Sequence, residues 1–241
     1  MKNILFFILL ALATILSAKT YETDTFSTSN GDLTITFLGH GSLMFNYDGK
    51  VIHVDPFGRV ANYDSLPKAD LILITHDHGD HLDPDAIKAI KKTTTKIILT
   101  QTCREKLGSG AVMKNGDKLD ILGLAIEAVP AYNIKHVRSE GNPYHPKGQG
   151  NGYVVTFGDK RVYIAGDTEN IPEMADLGNI DIAFIPMNLP YTMTPEMAAD
   201  AARMIHPKIL YPYHYGETDT SELLKLLQDD KDIEVRIRQL Q

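Results

Sequence analysis

Between Thr75 and His81 the chain reads Thr-His-Asp-His-Gly-Asp-His, placing His76, His78, Asp80 and His81 within six positions. The apolar run Leu71–Ile74 ends directly before this cluster, so it is read as a loop at the carboxyl end of a strand. In an extended chain His76 and His78, two apart, point to the same side. Gly79 then lets the chain turn back and present Asp80 and His81. Imidazole and carboxylate donors at this spacing suit metal ions, and they suffice for two adjacent cations. Cys103 is the one cysteine, so the chain can form neither an internal disulfide nor a thiolate cluster. Any metal site must come from His, Asp and Glu. Two further apolar runs end in groups of the same kind. Arg161–Ala165 leads to Gly166-Asp167-Thr168, whose carboxylate has two oxygens and can bridge two cations. Ile209–Pro212 leads to Tyr213-His214-Tyr215-Gly216.

The elements that must carry these groups are short β-branched runs punctuated by Gly, Pro, Asn and Asp. Strands are predicted at Leu33–Leu38, Leu43–Tyr47, Val51–Asp55, Asp70–Thr75, Lys96–Thr100, Leu119–Val129, Tyr153–Phe157, Arg161–Ala165, Ile180–Pro186, Ile209–Pro212 and Glu234–Ile237. Asp48-Gly49 and Gly158-Asp159 each join two strands as hairpin turns. Asp83-Pro84-Asp85 combines an N-cap, a Pro in the first turn and an acid at the positive helix end, which opens a helix to about Lys92. Thr194-Pro195-Glu196 repeats that signal ahead of the stripe Met197, Ala198, Ala201, Ala202 and Ile205. Asp219 with Glu222 starts a last helix whose Leu223, Leu224, Leu226 and Leu227 are expected to face the core. Helices interspersed among many strands imply two sheets between helical layers, in one α/β domain over residues 19–241. Ala131–Gly152 has no period and reads as a functional loop, a candidate lid carrying His136, His145 and Lys147.

The 241 residues, 43% hydrophobic and 23% charged, match an ordinary folded protein. Lys+Arg 24 against Asp+Glu 31 removes the usual electrostatic reason to bind nucleic acid, so a small-molecule substrate is expected. Residues 1–18 read as a signal peptide: Lys2, an apolar run from Ile4 to Leu16, then Leu16-Ser17-Ala18. That run is shorter than the roughly 20 residues needed to cross a bilayer. The mature chain is therefore expected to be exported, periplasmic or secreted, without stable membrane insertion. An uncleaved N-terminal anchor is the alternative. Oligomeric state is not legible.

On His76, His78, Asp80 and His81 the chain resembles the metallo-β-lactamase superfamily, whose His-x-His-x-Asp-His motif is matched in full. Gly39-His40-Gly41-Ser42 and His53-Val54-Asp55-Pro56 resemble the opening motifs of its UlaG-like and phospholipase D-like hydrolases. The resemblance implies a four-layer αβ/βα sandwich with a dinuclear site along one sheet edge. It implies Asp167 as the bridging ligand and His214 as the histidine completing the second metal's shell. The family has one more histidine after the strand that ends near Val129. Asn133 stands where that residue is often found, and His145 resembles the replacement seen in one subgroup, with His136 as the alternative.

Other residues weigh less. Asp55 is expected to orient a ligand rather than bind metal. His40 lines the site or supports a ligand, and Tyr191 and Thr192 could line a pocket. Lys147 is a candidate partner for an anionic group. His53 and His206 read as structural. A set of imidazoles and carboxylates without thiolate suits two divalent ions, zinc first, with manganese or iron as alternatives. Two such ions roughly 3.5–4 Å apart can lower the proton affinity of a shared water, with Asp80 managing the proton. The reading is a hydrolase of an ester-type bond, a lactone or a phosphodiester. A redox di-iron site resembles His-x-Glu-x-Asp-His, but position 78 is His. The non-enzymatic alternative is a secreted metal-binding or interaction protein. Nothing in the loops marks an antibiotic pocket.

Overall fold

A computed structural model of the chain describes residues 20–240; the leader read over 1–18 lies outside the described residues. The first sheet runs in chain order: β1 (Thr23–Thr28), β2 (Gly31–Gly39), β3 (Ser42–Tyr47), β4 (Lys50–Val54), β5 (Leu71–Leu73), β6 (Lys96–Leu99) and β7 (Ala111–Val112). It is antiparallel as far as β4 and parallel from there on. The chain then enters the second sheet with β8 (Lys118–Ile121) and β9 (Leu124–Ala131). After a small hairpin, β10 (Val137–Ser139) and β11 (Asn142–Pro143), that sheet is completed by β12 (Gly150–Phe157), β13 (Lys160–Ile164), β14 (Ile182–Pro186), β15 (Ile209–Tyr213) and β16 (Glu234–Val235). Its spatial order is β16-β15-β14-β13-β12-β9-β8, with β13 to β16 parallel.

Side-chain alternation assigns the faces. Leu71 and Leu73 of β5 point into a buried cluster shared with the second sheet, where Phe45 stacks on Phe157 and Phe37 meets Tyr211. Ile72 and Ile74 point the other way, onto Ala86, Ile87 and Ile90 of α1 (Pro84–Ile90) and Cys103 of α2 (Gln101–Leu107). Beyond the second sheet, α3 (Pro195–Ile205) buries Ala198, Ala201, Ala202 and Ile205, and α4 (Thr220–Leu226) buries Leu223. The result is the four-layer αβ/βα sandwich. Each fully buried aliphatic side chain stabilises it by about 1.5–3 kcal/mol. Because β5 buries both faces, a one-residue slip would exchange its two apolar sets. That fixed register determines where the chain after Ile74 emerges.

The hairpins at Asp48-Gly49 and Gly158-Asp159 form as read, with Tyr47 opposite Lys50 and Phe157 opposite Lys160. The run Leu119–Val129 is instead a hairpin, because Leu122 and Gly123 both take left-handed φ, 55° and 79°, and reverse the chain in two residues. Strand β1 was not expected: its apolar content is a single Phe26 among threonines, and it pairs along β2 at the sheet edge. Helix α2 was missed as well, although Thr100 caps its start and Gly108 closes it at φ 76°. On α4, Leu224 is 42% exposed, so the buried face is Leu223 with Leu227 and not all four leucines. Among the described residues no helix is long and apolar enough to cross a membrane.

Candidate metal centre

In both sheets it is the carboxyl ends of parallel strands that meet. The segment His76–His81 leaves the end of β5, Asp167 follows β13 and His214 follows β15. Asp55, one residue past β4, ties the first of these in place. Its carboxylate accepts from the Thr75 N–H at 2.8 Å, the Thr75 hydroxyl at 2.6 Å and His81 Nδ1 at 2.8 Å. With Nδ1–H donated to Asp55, His81 turns Nε2 toward Asp167 and Asp80. Asp55 therefore supports a donor from behind.

Asp167 is nearly enclosed and central. Its Oδ1 lies 3.4 Å from His81 Nε2, and its Oδ2 lies 3.3 Å from His145 Nε2, 3.4 Å from His214 Nε2 and 3.9 Å from His76 Nε2. Three groupings result, each with donor atoms within 4.8 Å of one another: His76, His78 and His145; His76, His81 and Asp167; and His40, Asp80, His81 and His214. Gly166 makes the approach possible, since a Cβ there would stand 2.9 Å from the Asn151 carbonyl and 3.0 Å from Thr75 Cβ. Three strand-end residues of the centre take left-handed backbone, His40 at φ 53°, Asp55 at 43° and His214 at 47°. Such conformations are disfavoured for residues with a Cβ and cluster at functional sites.

Charge is concentrated here. Burial opposes ionisation of Asp167, yet His214, His81 and His145 hold its carboxyl well below the usual range. Burial likewise disfavours charge on His81, but Asp167 and Asp55 push its pKa up to about 9. His76 goes the other way, driven well down by burial and by the His81 imidazole beside it. His76 Nε2, His81 Nε2, Asp167 Oδ1 and both ring nitrogens of His214 are buried without a hydrogen-bond partner among the described residues. An unsatisfied buried polar atom costs about 1–3 kcal/mol, and folded proteins keep few of them. Their convergence on one spot, as nitrogen and oxygen donors, fits divalent cations.

The 132–149 segment contributes His145 and not His136. Asn133 Oδ1 accepts from the His145 backbone N–H at 2.9 Å and from its Nδ1 at 2.7 Å, leaving Nε2 facing Asp167 and His78. The asparagine in place of the usual histidine thus orients the histidine further along. Asn133 is held in turn by Glu169, a fully buried carboxylate not anticipated from the sequence. Glu169 also accepts from the backbone N–H of Ile134, Lys135 and His136 and from His136 Nδ1. The His136 ring is engaged there, away from the other donors.

The remaining residues divide. His40 Nε2 lies 3.0 Å from Asp80 Oδ2, and its ring lies against that of His214, centroids 3.7 Å apart. Tyr191 sits half-exposed against Tyr144, which lines a cavity with His76, His78 and His145. Lys147 corrects an expectation: its ammonium is met by Glu173 at 2.7 Å and the Tyr132 hydroxyl at 3.2 Å, so its charge is answered within the protein. His53 is buried, pushed down to about 4 and held by the Pro67 carbonyl, and His206 caps α3 at φ 52°.

Comparison with known proteins agrees with this architecture. The beta-lactamase superfamily domain is matched over residues 34–214. A UPF0173 metal-dependent hydrolase of Methanopyrus kandleri is 32% identical over 221 residues, covering 84% of this chain and 95% of that protein. A crystal structure from Parabacteroides distasonis, described as a candidate metal-dependent hydrolase, is 56% identical with a TM-score of 0.88, covering 92% of this chain and all of that one. Igni18, a metallo hydrolase from Ignicoccus hospitalis, superposes with a TM-score of 0.70 at 26% identity, covering 85% of this chain and 94% of its own.

Proposed function

Because the chain belongs to the beta-lactamase superfamily and is a metal-dependent hydrolase of the UPF0173 kind, we propose that it cleaves an ester-type bond, a lactone or a phosphodiester, at a centre of two divalent cations. The observation that carries this is the position of Asp167, with one oxygen toward His81 and the other toward His76, His145 and His214. His76, His78 and His145 would hold one cation and Asp80, His81 and His214 the other, with Asp167 between them. Zinc suits the donors best, followed by manganese or iron. When bound, the cations supply Lewis acidity toward the substrate's carbonyl or phosphoryl oxygen and lower the pKa of a nucleophilic water.

The chain's own groups do the rest. Asp55 and Asn133 fix the tautomers of His81 and His145, so that Nε2 of each is free to donate its lone pair. Asp80 is partly open to solvent, its side chain 35% exposed and steadied by His40. It takes the proton of the attacking water and returns it to the leaving oxygen as that bond breaks. His145 would supply the loop donor that position 133, an asparagine, lacks. The leader read over residues 1–18 supports action outside the cytosol, checked by fractionating cells that express the full chain; retention of the leader in the cytosolic fraction would refute it.

His78→Ala tests the hydrolase directly. The metal-loaded variant is expected to lose at least a hundredfold in kcat/KM on test esters and to bind one cation fewer by elemental analysis. Full activity, or a wild-type chain that holds at most one ion at saturation, would defeat the dinuclear reading.

A further inference from the structure

Arginine side chains in this protein are spoken for almost everywhere. Arg161 meets Glu127, Arg203 meets Asp230, Arg236 meets Glu234, Arg238 meets Asp24, and Arg104 donates to the Gly110 carbonyl. Arg59 and Arg138 are the exceptions. Among the described residues neither has a carboxylate or carbonyl partner, in a chain whose acids outnumber its bases. Both lie at openings of the metal centre. Arg59 lines a cleft of about 490 Å³ with His40, Phe57, Gly79 and Asp80. Arg138, on the β10–β11 hairpin, places Nη2 3.4 Å from His78 Nε2. Each guanidinium also lies near an aromatic ring, Phe57 at 5.9 Å and Tyr144 at 4.9 Å, contacts that aim the group without neutralising it.

The His78 contact is the more informative. His78 Nδ1 is the nitrogen that faces His145 Nε2, at 3.2 Å. If Nδ1 serves a cation, Nε2 carries the hydrogen, and the neighbouring Arg138 group is also purely a donor. With Nε2 unprotonated the two side chains hydrogen-bond to each other at 3.4 Å; with the hydrogen on Nε2 both present donors to one place, which an anionic oxygen would fill. We propose that Arg138 and Arg59 form an anion-binding rim on either side of the centre and that the substrate is a phosphodiester-type anionic ester rather than a neutral lactone. This rests on the hydrolase reading above and narrows it. A guanidinium fork matches two phosphoryl oxygens, and such charge-assisted bonds are roughly twice as strong as neutral ones. Lys147 does not belong to the rim, because Glu173 already holds it.

The test compares metal-loaded wild type with Arg138→Gln, Arg59→Gln and the double variant on bis(p-nitrophenyl) phosphate and on a neutral lactone. Wild type is expected to favour the phosphodiester in kcat/KM. Each single variant should lower the ratio of phosphodiester to lactone kcat/KM by about tenfold, the double variant by more, chiefly through KM. Arg138→Lys should recover part of the loss. A wild-type preference for the lactone, or an unchanged ratio in the double variant, would overturn the proposal. Should wild type hydrolyse neither compound, the ester-type reading falls first. Calorimetric titration with inorganic phosphate then decides the rim separately, since binding must be lost in the double variant for it to stand.

Discussion

His76, His78, Asp80 and His81 hang from the end of β5, whereas His145 rides on residues 132–149, which bridge β9 and β12 across the surface. The two carriers are built differently. Strand β5 is wholly buried, paired in parallel on both sides, and followed by a loop that Asp55 grips at three points. The 132–149 segment buries little apolar side chain beyond Tyr132; Ile134 and Val137 are exposed, and its own hairpin consists of β10 and β11 alone. One buried carboxylate, Glu169, gathers its first turn. A donor on the strand end is therefore as stable as the core, while a donor on the strap depends on a few polar contacts that can open locally. The same centre has one rigid wall and one adjustable wall.

Asp55→Ala should break the rigid wall and produce the largest effect. Removing one partner of a buried, hydrogen-bonded pair with His81 costs about 3–5 kcal/mol. Urea unfolding should show a much lower midpoint together with lost activity, and a fully stable, active variant would contradict the assigned rigidity. Glu169→Gln should act on the other wall alone. We expect about 1–3 kcal/mol of destabilisation and a 10- to 100-fold loss in affinity for one cation. Hydrogen exchange should rise in residues 133–149 and stay unchanged in β5; a loss of protection spread over both sheets would erase the contrast.

The same carboxylate gives the contrast a pH dependence. Burial alone would raise Glu169, but the His136 and Lys135 N–H groups, the Asn133 amide and the Ile134 N–H hold it below its ordinary 4.5. A depressed folded pKa means stabilisation that is complete above the unfolded value and lost as pH falls through the folded one. In metal-free protein, protection of the strap amides relative to their intrinsic exchange rates should therefore fall as the solution is acidified below about pH 4.5, and Glu169→Gln should lack that response. Smallest is Gly41→Ala. The added Cβ would lie 2.9 Å from His81 Cε1 and 3.7 Å from His214 Cδ2, so the rings must shift slightly. Kinetics should show a several-fold drop in kcat/KM with an urea midpoint close to wild type, and no change would mean that the rings move aside freely.

Much of the rigid wall was readable because its information is local. Adjacent His and Asp, a preceding apolar run and a following glycine lie in one short window, and capping residues announce α1 and α3 in the same way. The adjustable wall was not readable, because its determinants are far apart in the chain. Glu169 accepts from groups some 33 to 36 positions away, and nothing around it in sequence distinguishes it from a surface acid. In sequence Asn133 reads as a missing ligand, whereas in the fold its carboxamide lies beside His145. Leu122-Gly123 and the threonine-rich β1 escaped because backbone conformation, in the first, and edge pairing, in the second, outweighed apolar pattern.

The donor groupings close at different points along the polypeptide. The first is complete at residue 145, the second at 167 and the third at 214. None is local, so each can form only once the strands that carry its members have docked. Capture of metal is thus a milestone of assembly rather than its trigger: a chain truncated before β15 would lack the donor that finishes the last grouping. Since binding to the finished fold alone adds to its stability, the cations would act as a latch, closing behind the parallel pairing of β14 with β15.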